Sequence, residues 1–316
     1  MKKIQSFFQL IRYPNLLFIV FTQLFFYFFI IKPAYAHLND LSPRLSQANL
    51  FILILASVLI AAGGYIINDY FDLNIDKINR PSKMVIDRYI SRRWAMLLHL
   101  FFSVAGLILT GMVALDLRNP FLFGFNLLSV MLLWFYSTTF KKQLLSGNII
   151  ISVLTAWVIF VMFVAEVQWT KGQFLPLGSN ELISIYKAAV LYAGFAFITT
   201  LIREVIKDIE DELGDRKYGC RTMPISWGMM STKVFVSVWI IVLIGSLVTL
   251  LIYALIQKWF FVVLFILFLL VKYLLNFIVK LIKASSIKHF NEISTDLKWL
   301  MFYGILSMIL YFYYLG

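Results

Sequence analysis

The feature that most constrains this chain is a series of nine long apolar runs separated by short polar segments. A bilayer core of about 30 Å requires about 20 apolar residues for one helical crossing. Two of the runs are short and would have to extend into their flanks to span it. The runs are Asn15–Ile31, Leu50–Ile67, Trp94–Leu115, Phe121–Tyr136, Ile149–Val167, Ala188–Ile202, Val234–Ile256, Trp259–Ile282 and Leu297–Leu315, with Phe121–Tyr136 and Ala188–Ile202 the short ones. The pattern predicts an all-α integral membrane protein with nine transmembrane helices in one domain, residues 1–316.

The composition excludes a soluble fold. Of the 316 residues, 61% are hydrophobic and 14% are charged, and the mean hydropathy is +0.86. Soluble domains hold about 45–50% apolar and about 25% charged residues, so this chain lacks the polar side chains that would cover a surface in water. Cys220 is the single cysteine, which excludes an intramolecular disulfide and a multi-thiolate metal site.

The net charge of +12 reflects membrane topology rather than nucleic-acid binding. With nine spans and a cytoplasmic N-terminus, most of the 28 Lys and Arg residues fall in loops on the cytoplasmic side. This distribution predicts a multi-pass protein of the cytoplasmic (inner) membrane with its C-terminus outside. The bilayer is the expected partner, and neither nucleic acid nor an obligatory protein partner is indicated. Most of the 16 acidic residues lie on the cytoplasmic side too, which the topology rule does not require.

The first acidic cluster follows the second apolar run. If the helix continues past Ile67 at about 100° per residue, Asn68, Asp69, Asp72 and Asp76 share one face. Like charges three or four residues apart repel each other, and carboxylates at the edge of a bilayer are costly and usually functional. A compensating cation is therefore expected at this face.

The second acidic cluster follows the sixth apolar run and repeats the spacing. Glu204, Asp208, Asp211 and Asp215 share one face of a continuing helix, with Gly214 expected to loosen that helix near its end. Mg²⁺ prefers oxygen ligands and is typically held by one or two carboxylates together with substrate phosphates. Two carboxylate stripes that face each other across a cavity would suit Mg²⁺ ions bridged by a diphosphate.

At both clusters the sequence resembles the UbiA superfamily of intramembrane prenyltransferases. Asn68-Asp69-x-x-Asp72-x-x-x-Asp76 matches the first aspartate-rich motif of that family, and Asp211-x-x-x-Asp215 matches the second. Other segments that resemble the family are Arg12-Tyr13-Pro14-Asn15, Ile78-Asn79-Arg80-Pro81, Tyr136-Ser137 with Lys141, and Gly147-Asn148. The resemblance therefore covers essentially the whole chain.

Two local features refine the resemblance. The segment from Lys207 to Asp215 is similar to a subfamily that adds a second isoprenoid ether to a glycerol phosphate lipid. After Arg80-Pro81 the family usually continues with a Pro-rich turn, whereas here the chain continues with residues 82–88, which include Asp87. This departure bears on which acceptor the protein takes.

The resemblance implies a central cavity with cytoplasmic aspartate-rich loops, and an enzyme that transfers a prenyl group from an allylic prenyl diphosphate to a lipophilic acceptor with Mg²⁺ as cofactor. The metal ligands that it implies are Asn68, Asp69, Asp72, Asp76, Asp208, Asp211 and Asp215, of which Asp72, Asp76, Asp211 and Asp215 are the expected catalytic residues. The residues expected to bind the diphosphate are Asn68, Arg80, Lys141, Lys207 and Tyr136. Geranylgeranyl transfer to a prenylated glycerol phosphate, in ether lipid synthesis, is the expected reaction.

Two alternatives remain open at this point. The same chemistry could act on an aromatic acceptor of quinone or tetrapyrrole biosynthesis. A cation transporter could also place carboxylates in a membrane protein, although ion pathways usually carry ionisable residues near the bilayer midplane. Here the spans are nearly free of charge, with Lys272 the main exception, and the acidic residues lie at one end.

Overall fold

The computed structural model describes residues 2–35, 42–170, 173–174 and 180–315, and these are predominantly helical. Two π-helical segments, Tyr27–Ile31 and Leu270–Leu275, continue α2 into α3 and α12 into α13. A short antiparallel hairpin pairs β1 (Trp169–Thr170) with β2 (Gln173–Phe174). The helices are α1 (Lys2–Leu10), α2 (Tyr13–Phe26), α3 (Lys32–Ala34), α4 (Gln47–Asn79), α5 (Arg92–Asp116), α6 (Pro120–Thr138), α7 (Ser146–Glu166), α8 (Asn180–Glu210), α9 (Glu212–Lys217), α10 (Met223–Ser226), α11 (Gly228–Ile256), α12 (Phe260–Leu269), α13 (Asn276–Lys283) and α14 (Ile287–Leu315).

Within the described residues, nine helical stretches are long and apolar enough to cross a membrane. Each coincides with one of the predicted apolar runs, so the predicted nine-span all-α fold is confirmed. The two short runs do extend into their flanks, because α6 covers Pro120–Thr138 and the next span covers Leu182–Glu210. The stretches are Tyr13–Ala34, Gln47–Asn79, Arg92–Asp116, Pro120–Thr138, Ser146–Glu166, Leu182–Glu210, Gly228–Ile256, Phe260–Lys283 and Ile287–Tyr314.

The spans surround a central cavity of about 290 Å³. Its described lining comes from α2, α4, α6, α7, α8 and α14, while α5 packs outside on α4 and the α11–α13 helices pack outside on α8 and α14. The expected central cavity is therefore present. We call the end of the bundle where α4 and α8 finish the aspartate end, because both acidic clusters lie there.

The loop after α4 replaces the Pro-rich turn usual in the resembled family, and it packs as part of the protein interior. Val85 and Ile86 are buried in an apolar cluster that includes Leu10 of α1 and Ile66 of α4. Asp87, at φ 67°, forms an exposed ion pair of 2.7 Å with Arg92 at the start of α5. The loop and α1 thus brace the outer side of α4 at the aspartate end.

At the opposite end a polar cluster holds the helix termini together. Glu166, 2% exposed, accepts hydrogen bonds from the Tyr35 hydroxyl (3.1 Å) and from the backbone N–H groups of Arg44 and Leu45 (3.0 Å each). The Arg44 guanidinium donates to two backbone carbonyls after α5 and α7, at 2.6 and 2.7 Å. A buried carboxylate with this many donors is well compensated. We call Tyr35, Arg44, Leu45 and Glu166 the far-end clasp.

Candidate active site

The first acidic cluster lies on α4, which continues unbroken through Asn79 as the sequence predicts. Asn68 and Asp72 are buried, at 8% and 4% exposure, and the Asn68 amide donates to Asp72 at 2.9 Å. The Lys141 ammonium forms an ion pair with Asp72 and lies 3.4 Å from the Asn68 side-chain oxygen. Burial alone would lower the pKa of Lys141, but the attraction and hydrogen bond of Asp72, together with Tyr136 and Asp76, outweigh it and hold that pKa above its usual value.

Lys141 reaches this position because the loop between α6 and α7 folds tightly over the start of α7. Phe140–Lys142 forms a 3-10 turn, and a Cβ on Gly147 would lie 3.0 Å from the Lys141 Cα. Only glycine permits so close an approach of two backbone segments. The loop is also tied to the segment between α9 and α10, since the Arg221 N–H donates to the Lys142 carbonyl at 2.8 Å.

The helix that carries the second acidic cluster was expected to loosen near Gly214, and the structure shows that this position was wrong. The α8 helix ends at Glu210, and Asp211, at φ −97° and ψ 3°, separates it from the short α9. The break therefore comes three residues earlier than expected. Asp211 still takes part in helical hydrogen bonds on both sides, since its N–H donates to the Lys207 carbonyl at 2.9 Å and its carbonyl accepts from the Asp215 N–H at 3.1 Å. Asp215 is buried, at 6% exposure.

The two clusters meet through the residues at the end of α4. Arg80 forms an ion pair of 2.6 Å with Asp211, 131 residues away in the chain. The Asn79 amide donates to the Asp211 carbonyl at 2.9 Å and accepts from the Gly214 N–H at 2.8 Å. A Cβ on Gly214 would lie 2.5 Å from the Asn79 side chain, so glycine is required for this contact.

Carboxylates of the two clusters lie close enough to influence the pKa of one another. Burial raises the pKa of Asp215 to about 7, and the nearby carboxylates of Asp211 and Asp72 raise it further against the lowering effect of Lys141. The pKa of Arg80 is also raised, since the attraction of Asp211 exceeds the effect of burial. The aspartate end is therefore an anionic site held together by two fixed cations.

Three of the predicted site residues pair with groups outside the two aspartate motifs, and a fourth, Tyr136, lines the cavity. Asp69 pairs with Arg12 at 2.7 Å, and Asp208 accepts from the Asn148 amide at 2.9 Å. Lys207 pairs with Glu204 at 2.5 Å and lines the central cavity rather than contacting the aspartates. Tyr136 also lines the cavity, as does Asn68.

Asp76 lies one helical turn beyond Asp72 and is half-buried. Within the part of the chain that the structure describes, no three His, Cys, Asp or Glu side chains are close enough to form a ready-made metal site. The donor set nonetheless fits Mg²⁺, because this ion is usually held by only one or two carboxylates and completed by substrate phosphates. The assignment of individual ligands stays a prediction.

Several residues of the site were not assigned from the sequence. Asn79 and Asn148 lie in segments that resemble the family, yet their contacts join residues far apart in the chain. Arg12 has a positive φ of 51° at the junction of α1 and α2, and its guanidinium lies over the Tyr65 ring at 5.0 Å. Glu204 could have been assigned from the sequence, because the helical period places it on the same face as Asp208.

This fold and the paired clusters define an intramembrane protein with a polar site at one end of an apolar cavity. The UbiA prenyltransferase family matches residues 24–306, so the chain belongs to that family. The family predicted from the two aspartate motifs is confirmed.

Among curated proteins, the chain is similar to a digeranylgeranylglyceryl phosphate synthase from Sulfolobus acidocaldarius. The two are 33% identical over 192 residues, which is 60% of this chain and 61% of the relative. The match thus spans about three fifths of the relative's length.

Solved structures share the fold over nearly the whole chain. One, of digeranylgeranylglyceryl phosphate synthase in membranes, has a TM-score of 0.63 at 21% identity and covers 98% of both chains. Another, a UbiA homolog from Archaeoglobus fulgidus bound to GPP and Mg²⁺, has a TM-score of 0.58 at 16% identity and covers 96% of this chain and 99% of the other.

Proposed function

We propose that this protein transfers a prenyl group from an allylic prenyl diphosphate to a lipophilic acceptor within the membrane, with Mg²⁺ as cofactor. The specific reaction that we propose is transfer of a geranylgeranyl group to a prenylated glycerol phosphate, a step of ether lipid synthesis. The observation that carries the proposal is the meeting of two aspartate motifs, through Arg80 and Asp211, next to the end of the apolar cavity that Asn68 lines.

The polar end would bind and activate the diphosphate. When the allylic C–O bond breaks, negative charge develops on the departing diphosphate, and groups fixed around it stabilise that charge. Lys141 and Arg80 are the cations at this position. Mg²⁺, held by the predicted ligands together with diphosphate oxygens, would add Lewis-acid stabilisation of the leaving group. The predicted ligands are Asn68, Asp72, Asp76, Asp211 and Asp215, with Asp69 and Asp208 in supporting positions.

The apolar part of the cavity would hold the prenyl chain and exclude water from the allylic cation. Its walls include Phe18, Leu133, Phe195 and Met308. A cation generated in water would be captured at once, so a dry cavity decides which nucleophile reacts. Tyr136, at the boundary between the polar end and the cavity, could stabilise the cation through its ring.

The relatives named digeranylgeranylglyceryl phosphate synthase support a glycerol phosphate acceptor over an aromatic one. The GPP and Mg²⁺ of the Archaeoglobus fulgidus homolog support a diphosphate donor and a divalent cation. The distribution of Lys and Arg supports an aspartate end that faces the cytoplasm of the inner membrane, with the N-terminus inside and the C-terminus outside.

The direct test supplies the full chain in nanodiscs with Mg²⁺, labelled geranylgeranyl diphosphate and one acceptor at a time. The acceptors are geranylgeranylglyceryl phosphate, a hydroxybenzoate and a chlorophyllide, and mass spectrometry identifies the product. We expect a diether glycerol phosphate with the first acceptor alone. Prenylation of an aromatic ring would overturn the proposed acceptor, and no prenylated product with any of the three would overturn the proposed reaction.

A further inference from the structure

A polar stripe runs along the face of α8 that lines the central cavity. Thr200, Arg203, Glu204 and Lys207 follow the i, i+3, i+4, i+7 spacing of one helical face, and all four line the cavity. Charged groups inside a membrane-spanning helix are costly and mark functional sites. We call these four residues the α8 stripe.

The cations of the α8 stripe are separate from those that hold the diphosphate site. Arg203 and Lys207 both bond to the same oxygen of Glu204, at 3.0 and 2.5 Å. Lys141 and Arg80 are instead paired with Asp72 and Asp211. The site therefore contains two pairs of cations, Arg203 with Lys207 and Lys141 with Arg80, and each pair has its own carboxylate partners.

The α8 stripe also holds unused donors. The Thr200 hydroxyl is buried, with the residue 4% exposed, and it has no hydrogen-bond partner among the described residues. The same is true of the Arg203 Nε, three residues further along the helix. Native proteins satisfy nearly all buried polar groups, so two adjacent orphan donors at a cavity indicate a ligand.

The charge of the α8 stripe indicates that the ligand is an anion. Two cations share the single carboxylate of Glu204, which leaves one positive charge over. Arg12 lines the same cavity and adds a further guanidinium, paired with Asp69. Anionic oxygens bound by guanidinium and ammonium groups form charge-assisted hydrogen bonds, which are the strong ones in proteins.

We propose that the α8 stripe binds the polar head of the acceptor lipid, with its phosphate on Arg203, Lys207 and Thr200 and its free hydroxyl on Glu204. This inference rests on the proposed function and assigns the acceptor to a place distinct from the diphosphate site. Lys207, which the sequence suggested for the diphosphate, is reassigned to the acceptor. A lipid with both a phosphomonoester and a hydroxyl matches a site that has both a cationic and an anionic part.

The arrangement also provides a group, the Glu204 carboxylate, that can take the proton which the acceptor hydroxyl loses in the reaction. As the allylic C–O bond breaks, its electron pair leaves with the diphosphate, and the acceptor hydroxyl oxygen forms the new ether bond to the same carbon. The oxygen then carries a positive charge and its proton passes to the Glu204 carboxylate. An oxonium ion is a strong acid, so a carboxylate already bonded to two cations is a sufficient base.

The arrangement also predicts selectivity. A site built to hydrogen-bond a polar group rejects an analogue that lacks this group, because its own buried donors are left unpaired. The dephosphorylated glycerol ether, otherwise identical to the phosphate acceptor, is therefore the probe that tests the α8 stripe.

The experiment compares wild type with Arg203→Gln and Thr200→Val in nanodiscs, using geranylgeranyl diphosphate with either acceptor. We expect Arg203→Gln to raise the KM of the phosphate acceptor at least 10-fold, with the KM of the donor unchanged, and to abolish the preference over the dephosphorylated acceptor. Thr200→Val, which preserves the side-chain shape, should raise the same KM about 3-fold. Arg216→Gln is the matched control, because Arg216 is paired with Glu212 on the exposed surface of α9.

Binding of the phosphate acceptor alone, measured without donor, provides a second readout and should weaken in Arg203→Gln and not in Arg216→Gln. Equal loss of donor and acceptor affinity would overturn the inference, as would a wild type that uses both acceptors equally well. A wild type that forms no prenylated product would instead overturn the proposed function and this inference with it. Glu204→Gln should lower kcat with little change in either KM, and an unchanged kcat would remove Glu204 as the proton acceptor.

Discussion

At the scale of single residues, the site is organised by ion pairs between distant parts of the chain. Asp72 is buried and its compensating charge comes from Lys141, 69 residues later. The sequence showed which side chains were acidic and which faces they shared, because helical periodicity is local. It could not show that Asp69 would pair with Arg12 or Asp211 with Arg80, since these contacts depend on how the helices pack.

We expect Asp72→Asn to abolish prenyl transfer, with a loss of about 100-fold or more in kcat, because a predicted Mg²⁺ ligand and the charge that holds Lys141 in place would both be lost. Product formation in nanodiscs measures this effect. Asp116→Asn is the control, since Asp116 accepts a hydrogen bond from Asn49 at the opposite end of the bundle. Transfer at the wild-type rate in Asp72→Asn would contradict the assigned role.

We expect removal of divalent cations by EDTA to stop turnover, and readdition of Mg²⁺ to restore it. The physical reason is the repulsion among Asp72, Asp211 and Asp215, which a divalent cation and a diphosphate would relieve together. The assay follows release of pyrophosphate before and after chelation, with an EDTA–Mg²⁺ complex as control. Turnover that continues unchanged in EDTA would rule out the metal-dependent mechanism.

At the scale of elements, the site depends on the joint between the end of α4 and the α8–α9 corner. The sequence correctly predicted that α4 continues as a helix past Ile67, because its polar residues follow the helical period. It placed the interruption of the second helix at Gly214, whereas the structure places it at Asp211. Gly214 is required instead by its contact with Asn79, which no local pattern reveals.

We expect Gly214→Ala to lower kcat/KM about 10-fold or more, because its Cβ would push Asn79 away and separate the two aspartate motifs. A stability loss of about 1–3 kcal/mol should accompany it, as for other overpacked contacts. Gly194→Ala in α8 is the matched control, since a Cβ there meets nothing within 4 Å. Both variants are compared with wild type by thermal unfolding and by kcat/KM in the same detergent. Equal stability and equal kcat/KM of the two variants would contradict the role of the joint.

At the scale of the whole molecule, the described part of the chain is a bundle of nine spans. Both acidic clusters lie at one end of this bundle. Hydrophobicity predicted the spans because the bilayer imposes a fixed length on each crossing. It could not predict which helices would line the cavity, because the six lining helices and the outer ones are similarly apolar. That distinction depends on packing among spans.

We expect the aspartate end to face the cytoplasm. In a Cys220→Ser background, Gln257→Cys lies in the loop between α11 and α12, and Ser286→Cys lies in the loop between α13 and α14, at opposite ends of the bundle. Both positions are exposed. A membrane-impermeant maleimide added to intact cells should label Gln257→Cys and leave Ser286→Cys unlabelled until the cells are opened. The reverse pattern would invert the orientation.

The far-end clasp has a consequence for the cell. The α8 stripe places charged groups in the cavity between the spans, and a continuous file of water from one end of the bundle to the other would conduct protons across the membrane. Glu166 is buried by its partners, and in the described part of the chain none of the clasp residues borders the cavity. If the cavity opens only at the aspartate end, pyrophosphate released in the proposed reaction leaves by the same end at which the donor binds.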